Sequence, residues 1–476
     1  MRPVFDVTDE RLARAAWSRL AEPGDDVAVA LVEQLGAGPA LAWVHEAAND
    51  PAEARRALVA LGCHEPVPAA PGDVVPALAG ADPLRVAALA DLVPAVPSRR
   101  TDTLGGARAG ARSGAAGPDF VVRRGPDNGA RGLVPHPGPD RRSRSVSRLL
   151  HAVARWAPRL DGLDPRRELR VLDRLDGTLV VPGDPGWPPG LDDLGTVRPL
   201  ALWVRGEPDL ARLAARSVAV VGARACTDYG RHVTGEIASG LAGRGFTVVS
   251  GGAYGIDASA HRAALVSGGP TVAFLAGGVD RFYPAGNTDL LRAVAESGGA
   301  VVSEVPPGSV PSRVRFLLRN RLIAAFAGAT VVVEAAWRSG SLSTATRASE
   351  LSRPVGAVPG PVTSMASTGC HRLLRDGAAV CVTDAAEVAE LAGALAQDLA
   401  PEVPAAVGAA TAPYDDLDPV ETRAWDALPL RSGASTESVA RSAGLAVPDA
   451  VAALGRLEVR ALAERVAGGW RRARGS

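Results

Sequence analysis

The chain has 476 residues, 47% hydrophobic and 22% charged, a composition that excludes a largely disordered protein. Its 52 basic residues balance 52 acidic ones, so the net charge of zero provides no overall attraction to a polyanion. The sequence contains no lysine, which excludes a Schiff-base lysine and a Walker A phosphate loop. Any polyanion site must therefore come from local clustering of arginines.

The four cysteines and seven histidines show no spacing typical of a zinc site, so we expect no structural metal. The first residues lack the apolar core of a signal peptide, and the sequence contains no run of 18 apolar residues. These features favour a cytoplasmic protein that does not bind a membrane.

The start of the chain is predicted to form a helical N-terminal domain, 1–62. In "DERLARAAWSRLA" and "DDVAVALVEQLGAGPALAWV", apolar residues recur at three- and four-residue spacing, and each segment begins with acidic residues, as is typical of a helix N-terminus. Residues 63–148 are rich in glycine, proline and arginine and lack periodicity, which predicts a disordered insertion. Its excess of arginine would suit an arm for nucleic-acid phosphates, although a neutral insertion is the favoured interpretation.

The rest of the chain is predicted to contain a helical and strand connector at 149–215, a core at 216–390, a linker at 391–416 and a C-terminal module at 417–476. In the core, unbroken apolar runs such as "SVAVVGAR", "TVAFLAGG" and "ATVVVEAA" alternate with helical stretches. This alternation predicts a doubly wound α/β domain with a parallel sheet covered on both faces. Three helical segments and a Gly-Gly turn at the end predict a winged helix or another small three-helix bundle.

Ligands of an open parallel sheet bind beyond the carboxyl ends of its strands, so the loops after the apolar runs form the candidate site. "VVGARACTDYG" differs from the dinucleotide fingerprint, because Arg224 replaces the second glycine and Ser250 ends the next strand where an acidic residue would belong. These features argue against a nicotinamide cofactor. Asp257 and His261, four residues apart, are interpreted as a helix cap and a structural histidine in preference to an acid–base pair.

The later segment "PSRVRFLLRNRLIAAF" carries four arginines within nine residues and no acidic neighbour. On a helix, Arg319 and Arg321 diverge by about 200°, so both cannot reach one ligand from the same stripe. We expect one of them to face a polyanion and the other to fix the fold through a carboxylate, either Glu304 or Glu334.

These motifs, taken in order, resemble the DprA/Smf family of DNA-processing proteins. The resemblance covers roughly residues 200–386 and rests on "VVSGGAYGIDASAHRAAL", "RNRLIA", "SGSLSTA" and "RPVGAVPG", among others. It implies an extended Rossmann-like fold with a helical N-terminal domain and a C-terminal winged helix. It also implies a homodimer that binds and protects single-stranded DNA and, as a recombination mediator, loads RecA during natural transformation, with no catalysis and no cofactor.

Carried over by matching motif, the resemblance implies a DNA pocket over the strand ends. The expected DNA-binding residues are Gly222, Arg224, Tyr254, Asn287, Arg319, Asn320, Arg321, Ser339, Gly340 and Ser341. The expected structural residues of the neighbouring loop are Ser250, Gly255, Asp257 and His261. The chain departs from the family where Gly252 and Tyr254 replace leucine and arginine, which removes a positive charge but offers a ring that could stack on a base.

Two alternatives remain open. A nucleoside-monophosphate hydrolase of the lonely-guy type would use the loop "SGSLSTATRASE" for phosphate and Glu350 for chemistry, although the paired glycines of that family are missing. A pure adaptor would use the C-terminal module to bind duplex DNA or a protein. That module mixes its arginines with Glu458 and Glu464, which favours a protein partner.

Overall fold

The computed structural model describes residues 4–60, 141–393, 398 and 417–473 of the chain. The chain forms two compact units, Met1–Ala400 and Pro401–Ser476. Most of the insertion predicted at 63–148 and of the linker predicted at 391–416 lies outside the described residues.

Helices form the N-terminal part of the larger unit. They are α1 (Glu10–Leu20), α2 (Asp26–Leu35), α3 (Ala37–Asn49), α4 (Pro51–Ala60) and α5 (Arg141–Leu160). Asp9 and Asp25 begin α1 and α2 by accepting hydrogen bonds from backbone N–H groups that have no partner inside the helix. The predicted helical N-terminal region is confirmed, and α5 begins before the boundary predicted at 148.

The apolar faces of these helices meet in one core around Trp17 and Trp156, whose rings pack edge to face with centroids 5.3 Å apart. Among the described residues, no single helix is both long and apolar enough to cross a membrane. Helices α2 and α3 together have the length and apolar composition of a membrane span, but the chain bends by 116° between them.

Within the described residues, the remainder of the larger unit is built on a nine-stranded sheet. Its strands are β1 (Gly177–Val180), β2 (Leu202–Gly206), β3 (Ser217–Val221), β4 (Thr247–Ser250), β5 (Thr271–Leu275), β6 (Ala300–Ser303), β7 (Ala329–Val332), β8 (Val355–Ala357) and β9 (Val380–Cys381). Their order across the sheet is β1-β2-β6-β5-β4-β3-β7-β8-β9. Strands β3 to β9 are mutually parallel, whereas β2 is antiparallel to both β1 and β6.

The helices of this part connect the strands and cover the sheet. They are α6 (Arg166–Asp173), α7 (Leu210–Ala215), α8 (Asp228–Gly243), α9 (Ile256–Val266), α10 (Thr288–Glu296), α11 (Arg313–Phe326), α12 (Ser341–Glu350), α13 (Thr368–Arg375) and α14 (Ala385–Ala392). Alternate residues of β3 enter two cores: Val218 packs with α8, α9 and α14, and Ala219 packs with α11 and α12. Helices α11 and α12 therefore share one face of the sheet.

The strand order reverses at β3. From β3 the chain proceeds outward through β4, β5 and β6, and it then returns to β7 on the other side of β3. Every residue of β3 and β7 is buried, as expected for strands covered on both faces. The predicted doubly wound, Rossmann-like α/β fold is confirmed. In such sheets, ligands bind beyond the carboxyl ends of the strands at the point of reversal.

The smaller unit contains α15 (Pro419–Asp426), α16 (Thr436–Ala443) and α17 (Val447–Val459), followed by the hairpin β10 (Ala463–Val466) and β11 (Gly469–Arg472). A reciprocal capping box between Asp418 and Glu421 begins α15. Leu454, Leu457 and Trp470 contribute to the core of this unit. Helices followed by a hairpin are the elements that the sequence indicates here, and the winged-helix assignment stays a prediction.

Candidate nucleic-acid interface

A cleft of about 1240 Å³ lies at the carboxyl ends of the neighbouring strands β3 and β7. The loop after β3 contributes Gly222 and Arg224, helix α11 contributes Arg319 and Asn320, and the start of α12 contributes Ser341. Segments far apart in the sequence therefore meet where the strand order reverses, which is the expected location of a ligand site in this fold.

The cleft is cationic. Its arginines are Arg224, Arg281, Arg313, Arg319 and Arg338. Among the described residues that line it, Asp257 is the single acidic side chain. No carboxylate in the described part of the chain forms an ion pair with any of the five arginines, whereas Arg321 of the same helix α11 is paired with Glu304. The cleft therefore presents guanidinium groups that remain available to an anion such as phosphate.

Arg319 is held in place at the cleft although it is only 7% exposed. Its Nη1 donates hydrogen bonds to the carbonyl oxygens of Gly251, at 2.8 Å, and of Phe274, and its Nε donates to Asn320 Oδ1 at 3.3 Å. Burial lowers the pKa of Arg319 to about 10, and the nearby Asp257 carboxylate opposes this shift. The guanidinium group therefore stays charged at neutral pH and is oriented before any ligand binds.

Asp257 holds the loop that follows β4. Its Oδ2 accepts hydrogen bonds from the backbone N–H groups of Gly251 and Ala253, at 3.2 Å and 3.4 Å. Burial raises the pKa of Asp257, and Arg319 acts in the opposite direction. Helix α9 begins directly after Gly255, and no side chain caps it. The prediction that Asp257 caps this helix is therefore wrong. Gly255 has a φ of +80°, and a Cβ there would collide with the backbone of the loop after β3.

His261 and Ser250 are buried and bonded inside the fold. His261 Nδ1 lies 2.7 Å from Thr271 Oγ1, and the Thr271 hydroxyl itself donates to the Val248 carbonyl oxygen at 2.6 Å. Nδ1 is therefore the nitrogen that carries the proton. Burial lowers the pKa of His261 to about 3, so its ring is neutral. Ser250 Oγ donates to the Val220 carbonyl oxygen at 2.7 Å.

An aromatic stack lies next to the cleft arginines. The guanidinium carbon of Arg224 is 4.8 Å from the ring centroid of Phe316, and that of Arg319 is 5.9 Å from it. The ring of Tyr283 packs against the ring of Phe316, with their centroids 5.8 Å apart and an angle of 57° between their planes. Tyr283 is 49% exposed, and both rings line the cleft. The cleft thus combines positive charge with ring faces.

The start of α12 forms a further wall of the cleft. Asn320 Nδ2 donates to the Gly340 carbonyl oxygen at 3.2 Å and to Ser343 Oγ at 2.8 Å, which ties α11 to this wall. The hydroxyl oxygens of Ser339 and Ser341 are 2.7 Å apart. Helix α12 begins without a side-chain cap, so its first N–H groups and these hydroxyls are together suited to an anion.

Arg321 does not line the cleft. Its Nη1 and Nη2 donate to the two carboxylate oxygens of Glu304 at 2.8 Å and 2.6 Å, and its Nε donates to the Val197 carbonyl oxygen at 2.9 Å. The side chain is only 4% exposed. Of the two carboxylates predicted as partners, Glu304 is the one that forms the pair, so Arg321 fixes the fold and is not a candidate DNA contact.

Glu334 occupies a helix start where an anion could otherwise bind. Its carboxylate accepts hydrogen bonds from the backbone N–H of Thr227 at 2.9 Å and from Thr227 Oγ1 at 2.5 Å, immediately before α8. In dinucleotide-binding sheets, the pyrophosphate lies at the helix start after the first strand of the motif. Here a buried carboxylate fills that position, whereas the start of α12 has no side-chain cap and lines the cleft.

Two further predicted DNA-binding residues lie outside the cleft lining. Asn287 is buried, and its Nδ2 donates to the carbonyl oxygens of Gly252 and Ala253, both at 3.0 Å, so it supports the loop after β4. Tyr254 is 50% exposed. The predicted residues that do line the cleft are Gly222, Arg224, Arg319, Asn320, Ser339, Gly340 and Ser341.

Several cleft residues were not among the predicted DNA contacts. They are Arg281, Tyr283, Arg313, Phe316 and Arg338. Helical spacing could have indicated Phe316, which precedes Arg319 by three residues, and Arg313, which precedes Phe316 by three. Arg338 follows β7 directly before the serine-rich turn, in the loop where the fold predicts ligand contacts.

Fold and cleft together define a Rossmann-like α/β protein with a cationic cleft at the strand ends, and comparison with known proteins places it among DNA-processing proteins. The family model described as DNA recombination-mediator protein A matches residues 178–393. The putative DNA processing protein DprA of Mycobacterium tuberculosis H37Rv is 48% identical over 314 residues, which cover 64% of this chain and 79% of that relative. The chain belongs to the DprA/Smf family.

Other relatives match the core more narrowly. DNA processing protein DprA of Streptococcus pneumoniae is 42% identical over 180 residues, or 38% of this chain and 62% of that relative. The match to its X-ray structure covers 51% of this chain and 84% of the chain in that structure, at 35% identity and a TM-score of 0.45. Another match is the structure of DNA processing protein A from Helicobacter pylori, which is described for its single-stranded DNA binding mode. This match covers 44% of this chain and 93% of that chain, at 28% identity and a TM-score of 0.40.

Proposed function

We propose that the chain binds single-stranded DNA in the arginine-lined cleft. The observation that carries this proposal is the convergence of five arginines, without ion partners among the described residues, at one edge of the sheet. Proteins that hold a single strand combine a cationic groove for its phosphates with ring faces for its bases, and the cleft offers both. Membership in a DNA-processing family supports the same function.

The cleft residues supply either a positive charge for phosphates or an aromatic ring for bases. Arg224, Arg313 and Arg338 are exposed and bind phosphates through the two hydrogen bonds that a guanidinium group can donate side by side. Arg319 supplies a fixed charge at the base of the cleft. A nucleobase stacks on the ring face of Phe316. Because backbone phosphates and ring faces carry little sequence information, we expect little preference among sequences.

The remaining predicted contacts have lesser roles in this proposal. Ser339, Gly340 and Ser341 receive one phosphate at the start of α12, and Asn320 holds that turn in place. Gly222 lets the loop after β3 pack closely against Ile256 and the Glu334 carbonyl oxygen, and so helps to shape the cleft wall. Tyr254 offers a ring outside the cleft, whereas Asn287 positions the loop that carries Tyr254.

The wider role in this proposal comes from the family. The chain protects incoming single strands and loads RecA onto them as a recombination mediator during natural transformation, acting as a homodimer in the cytoplasm. The smaller unit serves as a protein-docking module of the winged-helix type, because Glu458 and Glu464 offset its arginines and make it a poor reader of phosphates.

Binding without catalysis is the function that this geometry favours. A hydrolase would need a carboxylate beside the phosphate turn, but Glu350 stands at the other end of α12 from Ser341, about 14 Å away along the helix axis. Glu350 also pairs with Arg347 at 2.7 Å. The acidic side chain that does line the cleft, Asp257, is engaged with backbone N–H groups.

The test is a titration of a labelled oligothymidylate with the full chain and with two single variants. We expect Arg224→Ala to weaken binding on the order of tenfold, because a hydrogen bond between two charged groups is lost. Arg262→Ala removes an exposed arginine outside the cleft and should leave the affinity unchanged. If both variants bind like the wild type, the proposal is wrong.

Two further experiments test the rest of the proposal. Repeating the titration with RecA tests the wider role, and assaying nucleoside monophosphates for released base tests the hydrolase alternative.

A further inference from the structure

Trp337 is unusual among the tryptophans of this chain. All eight tryptophans lie within the described residues, and Trp337 is the one that is exposed, at 55%. Trp425 is partly buried and the others are buried. A large ring left in solvent forgoes the stabilisation that burial would provide, and such rings are common where a partner binds.

The ring of Trp337 stands at the rim of the arginine-lined cleft. Trp337 lies in the loop after β7, and both of its chain neighbours, Ala336 and Arg338, line the cleft. Met365 also lines the cleft and is 73% exposed. An exposed apolar surface therefore lies beside the cleft at Trp337.

Positive charge accompanies this apolar surface. The guanidinium carbon of Arg372, on α13, lies 5.0 Å from the ring centroid of Trp337, which is a cation–π contact that orients the indole. No ion pair joins Arg372 or Arg338 to any carboxylate among the described residues. The indole thus has a guanidinium group on its ring and another on the next residue of the chain.

We propose that Trp337 is a base-stacking subsite where the bound strand leaves the cleft, with Arg338 and Arg372 holding the phosphates beside the stacked base. This inference rests on the proposed function and adds a specific contact to it. A nucleotide fits the site because it presents an aromatic face and an anion together, which is the combination that an indole flanked by guanidinium groups can bind. An apolar protein surface would instead bury both guanidinium groups without counter-charges, at a considerable cost.

The test compares an oligothymidylate with an abasic strand of the same length. We expect Trp337→Ala to weaken binding of the oligothymidylate on the order of tenfold and to leave binding of the abasic strand unchanged, since only stacking is lost. Trp337→Phe keeps a ring and should restore most of the affinity. The quenching of tryptophan fluorescence that the oligothymidylate causes in the wild type should shrink in Trp337→Phe.

Three results would overturn the inference. If Trp337→Ala binds the oligothymidylate like the wild type while Arg224→Ala is weakened, the stacking subsite is wrong and the proposed function still stands. If Trp337→Ala changes the sedimentation behaviour of the free protein but not its base-dependent affinity, the ring belongs to a protein interface. If the wild type binds neither strand, the proposed function itself fails.

Discussion

Arg319 and Gly251 fit together so closely that no other residue could occupy position 251 without moving the arginine. A Cβ at Gly251 would lie 2.4 Å from both Nη atoms of Arg319. The Gly251 carbonyl oxygen accepts a hydrogen bond from Arg319 Nη1 at 2.8 Å. The missing side chain therefore makes room for a buried charge at the base of the cleft.

Replacing Gly251 with alanine should displace the Arg319 guanidinium group from its two carbonyl acceptors. We expect the variant to lose about 1–3 kcal/mol of unfolding free energy through overpacking, and to bind single-stranded DNA more weakly. Urea denaturation and a strand titration measure the two effects.

The matched control for this substitution is Gly235→Ala. Gly235 lies within α8, and a Cβ there would meet no atom within 4 Å. Alanine should therefore leave DNA affinity unchanged and raise the unfolding free energy by about 0.5–1 kcal/mol, because glycine is unfavourable inside helices. A Gly251→Ala variant that behaves like this control would refute the close fit between Gly251 and Arg319.

Arg321 should matter for stability and not for DNA binding. Arg321→Met leaves the Glu304 carboxylate, whose side chain is 11% exposed, without its partner. Removing one member of a buried ion pair costs about 3–5 kcal/mol, and urea denaturation should show a loss of that size. The folded fraction should bind single-stranded DNA as the wild type does.

Arg347→Ala is the control for this prediction, since its pair with Glu350 is exposed and joins residues one helical turn apart. Its loss should change stability by less than about 1 kcal/mol. If Arg321→Met keeps wild-type stability and loses DNA affinity, Arg321 has to be returned to the DNA contacts.

His261 should make the protein less stable in mild acid. Burial lowers its pKa from 6.5 to about 3, with Arg319 and Arg262 acting in the same direction. Below pH 6.5 the unfolded chain binds a proton that the folded chain does not, so the unfolding free energy falls by up to about 1.4 kcal/mol per pH unit as the pH drops towards 3. Asp257 acts in the opposite sense, because its pKa is raised on folding.

A comparison with His261→Asn isolates the histidine from Asp257. Asparagine can still donate a hydrogen bond towards Thr271 Oγ1, but it does not titrate. Below pH 6.5 the stability of the wild type should fall more steeply than that of the variant. Parallel curves from denaturation at a series of pH values would contradict a neutral, buried His261.

Sequence patterns were sufficient for the sheet and for much of the cleft. Unbroken apolar strands such as Ser217–Val221 predict a covered parallel sheet. Because ligands bind beyond the carboxyl ends of such strands, the segments after them, which carry Arg224 and Ser341, could be predicted as the site. Helical geometry also separated Arg319 from Arg321, because residues two apart on a helix point in different directions.

Other features depended on contacts that the chain order does not reveal. Asparagine is a residue type that often binds ligands. Tertiary packing, however, turns the amide of Asn287 towards the carbonyl oxygens of Gly252 and Ala253. The Glu334 carboxylate fills the start of α8 from the loop after β7, more than a hundred residues away along the chain. Phe316 was overlooked because an aromatic residue in an apolar stretch is usually part of the core.

The central claim is that exposed arginines of one cleft neutralise DNA phosphates. The variant that tests it lacks three of them, Arg224, Arg313 and Arg338. The control lacks three exposed arginines outside the cleft, Arg55, Arg170 and Arg262. The measurement is the slope of the logarithm of the association constant for single-stranded DNA against the logarithm of salt concentration. We predict that the slope becomes shallower by roughly 2 in the cleft variant, about 0.7 for each lost phosphate contact, and is unchanged in the control. Equal slopes for the wild type and the cleft variant would contradict the claim.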